Sequence, residues 1–481
     1  MMLKTKHQIL ALGMLIFGLF THCKPLQNFQ QPSLKALPES FQSKKDSTND
    51  AVVNWKSYFT DETLIGLIDT ALTNNIDLLM TLQRIEMAQN QLNYAKILGK
   101  PMVTAGTSLG VQKFGKYTMD GVGNYDTNFS NNINSDQKMP ENLPDIYLGL
   151  QSSWEVDIWG KLRSKKEAAL ARYLASVEGK NWLITNLISE ISANYYSLLA
   201  MDNELDIIKE TRNLQLNELQ IIQAQKEAGY ANELAVKQFE SRILNTRSLE
   251  VEILQNIIEG ENRLNFLLGR YPQPIQRNKL QFTKALPAQI HVGIPAQLLR
   301  NRPDVKQAEY ELRAARADVY SAKMAFNPSL NIGAGVGFQT FNPAFVFSPQ
   351  SIAYNVLGGL TAPVINRTAL KTEFATANAI QIEALYNYQK TIMNAYSEVY
   401  NQMANIKNLE QIQDLKSKEV VVLTESISTS VDLFKTGRAT YLEVLLTQAN
   451  ALQARIELIN VKKRQYNAVV NIYKALGGGW R

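Results

Sequence analysis

One cysteine and three histidines are all that this 481-residue chain offers as soft or imidazole ligands. His7, His22 and Cys23 crowd into the first stretch, which leaves His291 alone in the rest. A solitary imidazole with no thiols around it cannot build a zinc site, and a single cysteine cannot close an internal disulfide. No apolar run after Phe20 approaches the roughly 20 residues a membrane-spanning helix needs. There is no P-loop, no G-x-S-x-G elbow and no dinucleotide fingerprint. Gly333-Ala-Gly-Val-Gly337 alternates strictly with apolar residues and has no helix after it, so it reads as a strand with a bare face. Glu309 and Glu311 lie on a helix and read as solvated carboxylates. Neither catalysis nor a cofactor finds support. The net charge of +6 comes with no Lys/Arg run interleaved with aromatics, so nucleic acid is not an expected partner.

What is present begins with a short apolar core, residues 9–20, behind Lys4 and Lys6. It is too short to span a bilayer and fits a signal peptide, residues 1–22. Cys23 directly follows, as in a lipoprotein signal whose cysteine becomes the acylated first residue. Phe20-Thr21-His22 departs from the usual residues before such a cysteine, and the alternative is an ordinary secretory signal with an incidental thiol. Residues 23–50, with Pro25, Pro32 and Pro38, read as an extended tether.

The mature chain repeats itself. Lys226-Glu-Ala-Gly-Tyr-Ala-Asn-Glu-Leu234 has its counterpart in Phe434-Lys-Thr-Gly-Arg-Ala-Thr-Tyr-Leu442, and Leu268-Gly269 matches Leu476-Gly477 at the same offset. Upstream, Asn75-Ile-Asp77 matches Arg302-Pro-Asp304 and Lys100-Pro101 matches Asn327-Pro328 at a larger one. The offset changes between the two strands of an expected hairpin, where an insertion costs least. The division is a first repeat over 51–270 (hairpin 102–158), a Pro-punctuated connecting segment over 271–303, and a second repeat over 304–481 (hairpin 329–365).

Helical spacing over 62–98 predicts one helix, ended by Gly99-Lys100-Pro101. The period then becomes two. Val103, Ala105, Thr107, Leu109 and Val111 share a face; Ile146, Leu148, Leu150, Ser152, Trp154 and Val156 share another, across a long polar loop over 118–143. Leu330, Ile332, Ala334, Val336 and Phe338 do so again, as do Ile352, Tyr354, Val356, Leu360 and Val364, with Gly358 interrupting. The opposite faces are small or polar. About ten residues per strand suffice to cross a bilayer when tilted. The alternative, a soluble sandwich, lacks a second sheet. Trp154, Tyr147, Tyr354 and Phe341 are candidate interfacial aromatics.

Residues 164–228 hold no proline, and 368–435 hold neither proline nor glycine. Each predicts a rod on the order of 90 Å. Turns at Gly229 and Gly437 fold each rod back on a partner. Those partners carry seven-residue patterns, Leu442, Leu445, Ala449, Leu452, Ile456, Ile459, Lys463, Tyr466, Val470, Tyr473 and, less regularly, Val236 through Leu267.

One motif is specific. Gly293-Ile-Pro-Ala-Gln-Leu-Leu-Arg-Asn-Arg-Pro-Asp-Val-Lys-Gln-Ala-Glu309 resembles the signature of the TolC superfamily of outer-membrane efflux channels, in its lipoprotein (NodT/OprM-like) branch. Gly437-x-x-Thr-Tyr-Leu-Glu-Val-Leu with Gln448, Trp159-Gly160 and Asn327-Pro328 extend the resemblance over roughly residues 50–480. The resemblance implies a mixed α and transmembrane β fold. Four strands per chain close a trimeric twelve-stranded barrel, continuous with a long periplasmic α-helical barrel. It implies a passive duct of a tripartite efflux system for small molecules. Its partners are two sister copies, a periplasmic adaptor (membrane fusion) protein, an inner-membrane pump of the RND type and outer-membrane lipid. It places Cys23 as the lipidated residue, the tips around Gly229 and Gly437 as adaptor contacts, and Glu443 at the periplasmic constriction. A second acidic position often found one turn on is Leu446 here, so an apolar ring is the alternative gate; Arg438 and Asp432 are tip contacts. Glu443 also reads as a solvated heptad-flank carboxylate. Two other functions stay open: the exit duct of a type I secretion system, and a periplasmic coiled-coil scaffold without a pore.

Overall fold

Strands β1 (Met102–Gln112), β2 (Leu143–Val156), β3 (Ser329–Thr340) and β4 (Ile352–Thr361) form one antiparallel sheet in sequential order. The computed structural model describes residues 32–33, 35–41, 48–283, 291–363 and 367–481. The signal segment and Cys23 lie outside these, as does Val364, expected on the last strand. The register joins the four predicted apolar faces into one surface: Leu109 stands opposite Ile146, Leu148 opposite Phe338, and Val336 opposite Tyr354. The other surface is nearly bare, with Gly106 opposite Gly149 and Gly149 opposite Gly337. No second sheet exists among the described residues, and β1 is exposed along its whole length. The expected polar loop over 118–143 is not structureless. It holds a nine-residue helix, α3 (Met119–Thr127), and a 3-10 turn at Ser135–Gln137, with Asn128 pairing both ways with the Met139 backbone.

At one level of the sheet the strands approach so closely that only glycine fits. A Cβ on Gly337 would lie 2.5 Å from the Leu148 carbonyl oxygen and 2.6 Å from the Gly149 Cα. Gly333, four residues earlier on the same face, would meet nothing nearer than 3.8 Å. The bare inner face is therefore partly a packing requirement of the curled sheet.

The segment read as one helix over 62–98 is two, α1 (Glu62–Asn74) and α2 (Ile76–Ile97), broken at Asn75. Asn75 caps α2 by accepting the Leu78 N–H, and its amide donates to the Leu267 carbonyl. The sequence repeat foretold this break, because Asn75 aligns with Arg302, which caps α6 (Pro303–Met324). Arg302 in turn donates to the Ala475 carbonyl. The two caps thus hold the ends of equivalent helices, α5 (Glu233–Leu267) and α8 (Tyr441–Ala475). Between them run the long rods α4 (Lys161–Glu227, 67 residues) and α7 (Thr368–Lys435, 68 residues), each about 100 Å at 1.5 Å per residue. On the sheet side of this waist the neighbours run α2, α4, α6, α7; on the other side they run α5, α4, α8, α7.

The single heptad stripe expected on α8 is incomplete. Leu452, Tyr466, Val470 and Tyr473 join the main core, while Val461 and Ala468 pack on Leu409 of α7. Being sandwiched between α4 and α7, α8 buries two stripes, and the first expected heptad residue, Leu442, is 54% exposed.

The waist carries the densest chemistry. Arg302, 1% exposed, forks onto Asp304, reaches Glu398 at 2.6 Å and lies over Trp182. Tyr58 stacks on Tyr473 and Tyr196 on Tyr466. The expected tether is docked at its far end: Phe41 is buried against Tyr396, and Asn49 bridges Val292. His291, the lone histidine of the mature chain, exchanges backbone and side-chain hydrogen bonds with Asp50.

Two predictions follow from these contacts. Replacing Gly337→Ala should disturb the β2–β3 pairing and cost about 1–3 kcal/mol, the range for overpacking, whereas Gly333→Ala should be near neutral; thermal melts of the folded protein compare them. Arg302→Ala strands Asp304 without its partner at the waist, and should cost about 3–5 kcal/mol in denaturant unfolding.

Candidate functional site

Both long rods end in the same device. At Gly229 (φ 78°) and Gly437 (φ 72°) the backbone enters the left-handed region that closes a Schellman turn. Tyr230 N–H donates to the Gln225 carbonyl and Gly229 N–H to that of Lys226; Arg438 and Gly437 repeat the pair with Leu433 and Phe434. Each return helix then starts on a side-chain cap, Asn232 accepting from the Ala235 N–H and Thr440 from the Glu443 N–H. The two tips lie side by side over a shared apolar floor of Ile222, Val236, Phe239 and Leu445. Above it is a cleft of about 630 Å³ lined from the first tip by Tyr230 and Asn232 and from the second by Phe434, Thr436 and Tyr441.

Glu443 is exposed, but its carboxylate does not reach outward. It turns back on its own helix and accepts from the Thr440 backbone N–H at 2.6 Å and from the Thr440 hydroxyl at 3.0 Å. This closes a capping box. The same backbone donor holds the Glu443 carboxyl below its ordinary range. Asp432 pairs with Lys435 at 3.6 Å, and Arg438 is exposed; among the described residues no ion pair joins Glu443, Asp432 and Arg438 to one another. Leu446 is 60% exposed and stands one turn from the equally open Leu442, so the outward feature at this level is apolar. Sequence reasoning missed Leu442 because the heptad assigned it to a buried seam. It also missed that Gln448, quoted in the motif, bonds across to Glu218 of α4. Among the described residues no group of acidic, His or Cys side chains is arranged to hold a metal ion, and no helix is long and apolar enough to cross a membrane.

A four-stranded sheet with bare outer edges, carried on paired rods with duplicated tips, matches the outer membrane efflux protein family over residues 67–270 and 294–478. The chain belongs to that family. It is similar to the cation efflux system protein CusC of Escherichia coli O6:H1, 26% identical over 96% of each chain. It is similar also to the probable outer membrane lipoprotein SilC of Salmonella typhimurium, 25% identical over 94% of each. The solvent efflux pump outer membrane protein SrpC of Pseudomonas putida is 25% identical over 95% of this chain and 96% of its own. Among solved structures, a membrane protein of Pseudomonas aeruginosa superposes with a TM-score of 0.83 at 24% identity, over 95% of this chain and 98% of that one. The fold is that of the TolC-like trimeric channels, mostly helical with four strands per chain. The protein is an outer-membrane channel component of an efflux system, set in the outer membrane and extending into the periplasm.

The capping box gives the tip a defined response to acid. A carboxyl held low contributes stability that persists above its ordinary range and is lost as pH falls through its lowered value. Amide exchange in the first turn of α8 should stay protected down through mildly acidic pH and rise only below the usual carboxylate range. Thr440→Ala should loosen that turn at every pH by about 1 kcal/mol.

Proposed function

We propose that three copies of this chain form one passive duct, joining β1 of each copy to β4 of the next. The observation that carries this reading is the open sheet: both edge strands expose backbone donors and acceptors that lipid cannot satisfy. The helical layer supports it. Its α5 edge leaves Leu244, Val251, Leu254 and Ile258 exposed, and its α7 edge leaves Leu415, Val421 and Val422 exposed, so each edge has an apolar counterpart on the next copy. The two-repeat division at residues 51–270 and 304–481 belongs to the same reading, each repeat supplying one hairpin to the wall and one rod pair to the tunnel.

The duct takes its cargo from an inner-membrane pump of the RND type through a periplasmic adaptor that meets the tips at Gly229 and Gly437. Cys23 carries the lipid, in keeping with the lipoprotein name of the relative SilC. The cargo is small: relatives of equal similarity serve a cation system and a solvent pump, so the pump, not this wall, selects what passes. At the periplasmic end Leu442 and Leu446 make an apolar constriction that resists wetting. Arg438 and Asp432 hold the rim, and Glu443 stiffens it as a cap.

Purified protein in planar bilayers should conduct weakly, and Leu446→Asp should raise the conductance on the order of tenfold by admitting water. A monomeric protein that stays soluble without detergent would overturn the duct.

A further inference from the structure

Glu218 sits on α4 in the tip half, where α4 of the first hairpin packs on α8 of the second. Its Oε1 accepts a hydrogen bond from the Gln448 amide nitrogen of α8. The remaining pair of atoms is the informative one. Glu218 Oε2 and Gln448 Oε1 are both buried, and neither has a hydrogen-bond partner. Two buried acceptors on a bonded pair, both without a donor, are a costly arrangement. One turn back on α4, Gln215 is 1% exposed and its Oε1 is also unpartnered. Glu218 Oε2 and Gln448 Oε1 are thus short of one hydrogen between them, while the buried unpartnered donors of the neighbouring positions are the Nε atoms of Arg212 and Arg242.

A carboxylic acid and a carboxamide can pair at two points, the amide N–H donating to one carboxyl oxygen and the acid O–H donating to the amide oxygen. One of those bonds is present, and the two orphaned atoms are the ones the second would join. We propose that Glu218 is protonated when the two hairpins are packed together, and that its acid–amide pair with Gln448 is a pH-dependent latch between them. Deprotonation sets a buried carboxylate oxygen against the Gln448 oxygen and loosens the seam.

The surroundings favour the acid form. Burial pushes the Glu218 carboxyl up, opposed only by the Gln448 bond. The charged groups on the packed elements are engaged elsewhere or out of reach. Arg212 of α4 is held by Glu250 of α5, and Arg455 of α8 by Glu210 of α4. Arg242 of α5 lies in the adjoining seam, with its Nε buried and no ion pair to Glu218 among the described residues. With the carboxyl raised in the packed state, the latch is complete at lower pH and is lost as pH rises through the raised value. Because α4 and α8 belong to different hairpins, parting them moves one tip against the other. In this respect the inference rests on the duct proposed above.

Single-channel conductance of the purified full chain, read from acidic to mildly alkaline pH, tests the latch. Wild-type open probability should rise with pH by about tenfold, the effect of roughly one pKa unit of coupling. Glu218→Gln keeps a two-point amide pair at all pH values and should stay low and flat; Glu218→Ala should stay high and flat. Glu218→Gln with the wild-type pH profile would overturn the proposal. Infrared spectroscopy of the detergent-solubilised protein gives a readout that does not need conduction. A buried carboxylic-acid carbonyl band present in wild type and missing in Glu218→Gln supports the latch, and its absence from wild type near neutral pH sinks it. A wild type that shows the band yet never conducts would count against the duct and not against the protonated pair.

Discussion

Backbone hydrogen bonding in hydrocarbon is the constraint from which the rest of the molecule follows. Each unpaired N–H or C=O in the bilayer interior costs several kcal/mol, and this chain brings a sheet whose first and last strands are both bare-edged. Neither the length of the rods nor the apolar outer face relieves that cost; only further strands do. The helices then inherit the geometry imposed by the wall. A layer one helix deep, with apolar side chains on its α5 and α7 margins, makes sense only as an arc of something larger.

Duplication explains the inner economy of the arc. The same cap–carbonyl contact appears twice at the waist, as Asn75 on Leu267 and Arg302 on Ala475. The copies have diverged in how they satisfy it. Asn75 is a small neutral cap, whereas Arg302 brings a buried charge and has gathered Asp304, Glu398 and the face of Trp182 around it. The tips have diverged less, since the Schellman turn tolerates little but glycine at its left-handed residue. What differs there is the flank: Asn232 alone caps α5, while Thr440 and Glu443 cap α8 reciprocally.

The sheet was legible in the sequence because alternation is local. Every residue assigned to the apolar face of β1, β2 and β3 falls opposite another of that face, except Val111, which meets Pro144. The rods were legible from absent prolines. The break at Asn75 was not read, since no proline marks it, although the match to Arg302-Pro303 contained the information. The exposure of Leu442 and the docking of Phe41 were illegible for a different reason. Both depend on which neighbour a face meets, and a seven-residue pattern specifies a stripe without saying how many partners the helix has. The acceptor pair at Glu218 and Gln448 joins positions far apart in the chain and leaves no periodic trace.

The docking of Phe41 and Asn49 at the waist fixes a length. From the start of α2 or α6 to the sheet is one helix of 22 residues, about 33 Å. Between Cys23 and Phe41 the chain can reach at most about 60 Å when drawn out, at roughly 3.3 Å per residue. An acyl group on Cys23, as proposed, would thus reach the inner leaflet beside the barrel with roughly half of that chain length to spare. Such a leash would keep the chain at the membrane surface before any strand is inserted, without dictating where around the barrel the lipid sits.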